Sequence, residues 1–395
     1  MLASMPTWNN QQHVHYIDSG GHAHELWYSD GGGWFHNDIT HLAGADGFPA
    51  AQNSHIVGYA SPWNREQHVI YLDSTQGHVH ELWYSDGGGW KHNDLSQLAG
   101  ATNNFTGQGT GLNGYVTSWN KEQHVDYVGD DGWIYELWYS DNDGWKVNNL
   151  GRLAAGTTND AILTIDGYAT EWNNQQHVNY HETRNTDGSG PANELWYSDG
   201  GGWQLNNLTH LAGADNFPVA KSSPIDGYTT PWNKQQHLNY IDVNGYAHEL
   251  WYSDGGGWKH NDLTNLAGAQ AFPAAPGSPL DGYATPWNNE QHVNYVDGNG
   301  HVHELWYSDG GGWNHNDLTQ LAGAQNSPAV PGSPLDSYVS PWNNQQHVNY
   351  IDGQGHIHEL MYSDGGGWKH NDLTQAAGAQ SYPAASGSPL DGYVT

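Results

Sequence analysis

A six-residue phrase, Glu-Leu-Trp-Tyr-Ser-Asp, begins at Glu25, Glu81, Glu136, Glu194, Glu249 and Glu304, and returns as Glu-Leu-Met-Tyr-Ser-Asp at Glu359. The steps are 56, 55, 58, 55, 55 and 55 residues. A period of that length belongs to a solenoid or a propeller, in which each unit buries its apolar face only against its neighbours. Length alone would suggest two or three domains, but seven copies of one unit override that prior.

One clean unit runs from Leu280 to Pro334. Asp281–Thr285 reads as a short strand and Trp287–Glu290 as a turn. Gln291–Asp297 alternates like a half-buried strand, and Gly298-Asn299-Gly300 is hairpin chemistry. His301–Ser308 is a third strand. Asp309–Gly312 is a second turn, and Trp313–Thr319 a fourth strand. Leu321–Pro334, rich in Gly, Ala and Pro, leads to the next unit. Four antiparallel strands per unit, with no helical periodicity, predict an all-β, seven-bladed β-propeller forming a single domain over residues 1–395. The chain opens at Pro6-Thr-Trp-Asn9 without a first strand and finishes on Asp391–Thr395, which matches it. These five residues are expected to complete the first blade and close the ring, removing two sheet edges.

Several residues recur at matching places. A His stands early in each second strand: His13, His68, His124, His177, His237, His292 and His347. A Glu stands in each third strand, as above. A Trp follows each Gly-rich turn: Trp34, Trp90, Trp145, Trp203, Trp258, Trp313 and Trp368. Side chains alternate faces along a strand. Twelve positions separate His292 from Glu304, so an odd hairpin loop puts both on one face, with Asn294 and Trp306. The separation holds in units one, three, five, six and seven. Unit two has thirteen and would need a bulge, and unit four carries an insertion from Thr183 to Ala192. Carboxylates are rarely buried unpaired, so a Glu at one strand position in every unit points to a structural network or a ligand. The Trp after each Gly turn and Tyr283 with its equivalents also read as packing between blades.

The pattern His-Val-Asn-Tyr, an Asp/Gly turn, Gly-His-Val-His-Glu-Leu and a Gly-Gly-Trp hairpin resembles the Aleuria-type fungal and bacterial fucose-binding lectins, across every repeat. That resemblance implies fucose held between adjacent blades. In the family an Arg and a Glu bind its hydroxyls, and an aromatic ring of the neighbouring blade covers its apolar face. The Glu carries over to the seven Glu named above, and the stacking ring to the seven Trp after the Gly turns. The family's Arg falls on the seven His, a departure at every copy. The family is usually six-bladed. Imidazole can donate or accept a hydrogen bond, so a sugar-sized polar site remains expected.

Composition narrows the partners. The chain has 42 acidic and 10 basic residues. Phosphate recognition needs clustered Lys and Arg, so nucleic acid and anionic membranes are excluded and neutral ligands favoured. No apolar run approaches membrane-spanning length. Met1 to Asn10 lacks the charged and apolar parts of a signal peptide; the compartment stays open, and a secreted or cell-surface module is compatible. Cys is absent. Asn104-Phe-Thr106 and Asn207-Leu-Thr209 fit the glycosylation pattern.

Glycoside hydrolysis needs two carboxylates flanking one bond, and each unit offers one strong Glu, so no enzyme is expected. His-x-His occurs at His22/His24, His78/His80, His301/His303 and His356/His358. A bidentate contact is feasible there, with weak zinc or nickel binding, but neither a structural metal nor a cofactor is expected. The sequence thus reads as a multivalent carbohydrate-binding protein with up to seven inter-blade sites. The rival is a protein-interaction scaffold using its rims.

Overall fold

The computed structural model describes residues 7–51, 54–101, 111–154 and 162–395; the Asn104 sequon lies outside them. The chain forms seven four-stranded antiparallel sheets, the blades of a seven-bladed β-propeller. Blade 1 comprises Gln11–Ile17, Ala23–Ser29 and Gly33–Asp38, completed by Leu390–Val394. Blades 2 to 4 are built on Ile56–Asp94, Leu112–Asn149 and Ile162–Asn207, and blades 5 to 7 on Asp226–Asp262, Leu280–Asp317 and Leu335–Asp372. By internal contacts the chain divides into two compact units. One is chiefly Met5–Val178 with Leu195–Leu205 and Leu373–Thr395. The other is chiefly Asn206–Asp372 with Asn179–Glu194.

Ring closure follows the expectation. Gln12 faces Val394, His13 faces Tyr393 and Tyr16 faces Leu390. The backbones of Gln11 and Thr395 exchange both hydrogen bonds, at 3.2 and 3.0 Å. The last strand therefore enters an existing ladder and supplies blade 1 with its first strand.

In blade 6 the strands are Leu280–Thr285, Glu290–Val296, Val302–Ser308 and Gly312–Asp317. The fourth strand stops two residues short of the Thr319 expected. Asp317 accepts the Gln320 amide at 2.9 Å and caps a four-residue helix, Leu318–Leu321. Asp is a strong N-cap because it satisfies an orphan amide. Thr319 then turns inward and accepts the Val302 amide at 2.9 Å. All seven blades carry such a helix, too short to show periodicity in sequence.

Blade 2 needs no bulge. Its ladder runs unbroken from Glu66↔Ser85 to Leu72↔Val79. The extra residue sits in the hairpin loop, where Asp73 accepts the Thr75, Gln76 and His78 amides.

Within each unit, neighbouring blades pack face to face. Ile17, Ala23 and Ile39 of blade 1 form one cluster with Val69, Tyr71 and Leu82 of blade 2, and Trp90 packs on it. The same arrangement joins blades 5 and 6 under Trp313 and blades 6 and 7 under Trp368. The face bearing one blade's His and Glu therefore looks at the face bearing the next blade's post-turn Trp. Helices long and apolar enough to cross a membrane are absent among the described residues.

Candidate functional site

Strand register fixes which residues meet. His292 lies opposite Trp306, and Asn294 opposite Glu304, so all four share one face as parity requires. Tyr307 pairs with Trp313, which puts Trp313 on the other face of its own blade. The His–Glu face of blade 5 and the Trp313 face of blade 6 thus wall the same crevice.

The His and Glu come together. In blades 1, 2, 3, 5, 6 and 7 the His Nδ1 lies 2.7–2.9 Å from a Glu oxygen. A carboxylate can only accept, so Nδ1–H donates. For Glu25, burial raises the carboxyl pKa, but the His13 and His15 contacts outweigh it and hold the group far below the usual range. The second carboxylate oxygen accepts an amide from Asn37, Asn93, Asn148, Asn206, Asn261, Asn316 or Asn371 at 2.7–2.8 Å.

The other ring nitrogen, Nε2, meets the hydroxyl that ends the first strand: Ser61, Thr117, Thr170, Thr230, Thr285, Ser340 or Thr395, at 2.9–3.2 Å. In blade 6 that hydroxyl donates to Asn288, whose amide reaches Glu290 at 2.6 Å. A carboxylate terminus forces Asn288 to present its nitrogen outward and its oxygen to Thr285. The Thr285 hydroxyl thus bridges Asn288 and His292 Nε2. A relay of six side chains runs from Asn316 in the fourth strand to Glu290 at the start of the second. Glu66 and Glu122 end the relay in blades 2 and 3; Gln11, Gln175, Gln235 and Gln345 end it elsewhere.

The structure places these pairs beneath the surface. None of the seven His or seven Glu is more than 3% exposed. Tyr283 stacks on His292 with ring centres 4.8 Å apart, and its hydroxyl donates to Gln346 of blade 7 at 2.8 Å. Tyr393, Tyr59, Tyr115 and Tyr228 seal their own His and reach the next blade's Gln in the same way. Direct hydroxyl contact by these His and Glu is therefore not met in this arrangement: their polar atoms are occupied and a Tyr lies over the ring. Asn294 is fully buried too and donates to Ser337 of blade 7 at 3.0 Å.

The half-exposed layer lies outside the Tyr lid. Trp34, Trp90, Trp145, Trp203, Trp258, Trp313 and Trp368 are half-buried. Each is tilted against the Tyr two residues before the turn, centres 5.5–5.7 Å apart. The third-strand Trp27, Trp83, Trp138, Trp196, Trp251 and Trp306 are half-buried as well, and the indole N–H of each lacks a partner. An unmet buried donor costs about 1–3 kcal/mol, and here it repeats at one position in six blades. Lys91 lies 4.1 Å above the Trp83 ring and Lys259 4.5 Å above Trp251. Partial burial lifts Glu66, Glu122 and Glu290 above the usual carboxylate range, with the buried Glu of the same blade adding to it. Tyr139 of blade 3 is pushed up by burial, by Asp141, and by Glu66 across the crevice. Trp, Tyr and a Gln or Glu from two blades thus converge.

The strand-start Gln/Glu, the fourth-strand Asn and the first-strand hydroxyl were not singled out from sequence. Their signal was present: every unit carries Trp-Asn two residues before a Gln or Glu, and Asn third after the post-turn Trp.

No protein-family model and no curated protein sequence matches the chain. Solved structures do. The BP39L lectin from Burkholderia pseudomallei superposes with a TM-score of 0.64 at 15% identity, over 91% of this chain and 94% of that one. The six-bladed Aleuria aurantia lectin gives 0.52 at 17% identity, over 81% and 95%. AofleA from Arthrobotrys oligospora gives 0.56 at 14%, over 88% and 91%. Its structural neighbours are Aleuria-type lectin propellers. At these identities the likeness is one of fold.

Proposed function

We propose that the protein is a multivalent, non-catalytic carbohydrate-binding propeller that takes neutral sugars such as fucose in crevices between neighbouring blades. The observation that carries this reading is the repeated half-exposed set of Trp, Tyr and Gln/Glu outside the Tyr lid. Aromatic faces suit the apolar side of a sugar ring, and a fixed amide or carboxylate suits its hydroxyls. The His–Glu pairs serve as positioning residues, holding the relay whose outer end is that Gln or Glu. The unmet indole donors of the third-strand Trp fit an oxygen supplied from outside. The neighbouring folds support the reading, since the Aleuria aurantia lectin is described as fucose-specific. One such site binds weakly, and several facing a glycan-coated surface gain avidity.

A glycan array at neutral pH and at pH 5 tests this. Binding to neutral glycans is expected. No binding to any neutral glycan at either pH would replace the lectin reading with a protein scaffold.

A further inference from the structure

On the blade face opposite the His–Glu relay lies a second histidine system. In blade 2, His78 and His80 stand at alternate positions and so share a face. Their ring centres are 6.3 Å apart. His78 Nδ1 is 2.7 Å from Asp94 Oδ2. Blade 7 has the same two strand histidines, His356 and His358, 6.3 Å apart, but gathers a different acid: His358 Nε2 is 3.1 Å from Oδ2 of the hairpin residue Asp352.

We propose that the protein binds two divalent transition-metal ions of the zinc type, one on His78, His80 and Asp94, the other on Asp352, His356 and His358. In each trio one ligand atom per residue lies within 4.8 Å of the other two, and among the described residues these are the two groups that gather so closely. Tetrahedral zinc with bonds of about 2.0–2.2 Å separates its ligand atoms by roughly 3.3–3.6 Å. One imidazole–carboxylate contact in each trio is already shorter than that, and the third ligand, within 4.8 Å, needs a shift of at most roughly 1.5 Å, on the order of a rotamer adjustment.

Each trio also has an outer histidine. His92 Nε2 stands 2.6 Å from His80 Nδ1, and His370 Nε2 stands 2.9 Å from His358 Nδ1. A hydrogen-bonded neighbour at the second ring nitrogen restricts how the ligating ring can turn. Asp352 Oδ1 is held by the amides of Gln354 and His356, which leaves Oδ2 for the ion. With a net charge of −32 the protein attracts cations. The surrounding positions vary from blade to blade: blades 1 and 6 carry the same three His and two Asp, blade 5 replaces only the first His with Tyr246, and blades 3 and 4 replace both strand histidines, with Trp133 and Tyr135 and with Pro191 and Asn193.

The test is calorimetric titration of zinc into the chelator-stripped full chain, with cobalt absorption reporting the geometry. Two ions per chain in four-coordinate geometry are expected. His78→Tyr and His356→Tyr introduce the residue that blade 5 already carries as Tyr246, and each should remove one ion. Should His78→Tyr unfold, Asp94→Asn serves for the first site, since Asn149 and Asn207 cap the matching helices; should His356→Tyr unfold, Asp352→Asn serves for the second. His22→Tyr in blade 1 should leave two. Absence of binding, or a stoichiometry unmoved by the double variant, would overturn the proposal and assign any bound zinc to exposed histidines such as His41 and His210.

Discussion

Nδ1 of His292 lies 2.9 Å from Oε1 of Glu304, under a ring of Tyr283 that closes the pair from the crevice. A buried pair of this kind holds its neighbours because neither member tolerates losing the other. Glu304→Ala should lower stability by about 3–5 kcal/mol, the usual cost of stranding one partner. Denaturant unfolding of Glu304→Ala, His292→Ala and the double variant checks this. The double variant should cost clearly less than the sum of the singles; additivity would mean that the two residues do not act as a pair.

The relay ends in a carboxylate in three blades and in an amide in the other four. Burial raises the carboxyl pKa of Glu66, Glu122 and Glu290 from its ordinary value. Sugar affinity of the wild-type protein should therefore change between pH 7.5 and pH 5. Glu66→Gln/Glu122→Gln/Glu290→Gln converts these blades to the pattern of their neighbours and should flatten that profile. Titrations at both pH values decide the matter, and a dependence that survives in the triple variant would place its origin elsewhere.

Every turn between first and second strands puts one residue in the left-handed region. Asn10, Asn174, Asn289 and Asn344 occupy it in four blades, but Arg65, Lys121 and Lys234 do so in three, with φ of 56–59°. Asn visits this region more readily than a long side chain does. Replacing the three by Asn should stabilise the protein by roughly 0.5 kcal/mol each, visible as a higher melting temperature.

Asp226 and Asp391 sit in first strands, where burial pushes each up to about 6 despite an amide donated by Gly282 or Gly58 at 2.7 Å. A folded pKa above the unfolded value means that the contribution is fully present below about pH 4. It is lost as the pH rises through about 6. At neutral pH both groups therefore work against folding. Asp226→Asn and Asp391→Asn should each stabilise at pH 7 by about 1–2 kcal/mol, allowing for their partial exposure, with the gain vanishing near pH 4. Unfolding curves at the two pH values check the sign.

The fold was legible because the Glu-Leu-Trp-Tyr-Ser-Asp phrase repeats at blade length and the final Leu390–Val394 segment matches the strand missing before Gln11. The shared face of His292 and Glu304 was legible because strand parity is geometric. Their burial was not. The lid, Tyr283, comes from a different strand and is anchored on Gln346 of the next blade, a contact set by blade packing rather than by spacing along the chain. The capped helix at Leu318–Leu321 escaped for a simpler reason: four residues are too few for a helical period.

The central claim is that the crevices between blades hold sugar against the post-turn Trp rings. Calorimetric titration with methyl α-fucoside, or with whichever neutral glycoside the array selects, measures it directly on the wild type and on Trp313→Leu/Trp368→Leu. These substitutions keep apolar volume against the clusters beneath but remove the aromatic faces of two crevices. The account predicts a stoichiometry lower by two with folding retained by circular dichroism. An unchanged stoichiometry in the folded double variant would contradict it.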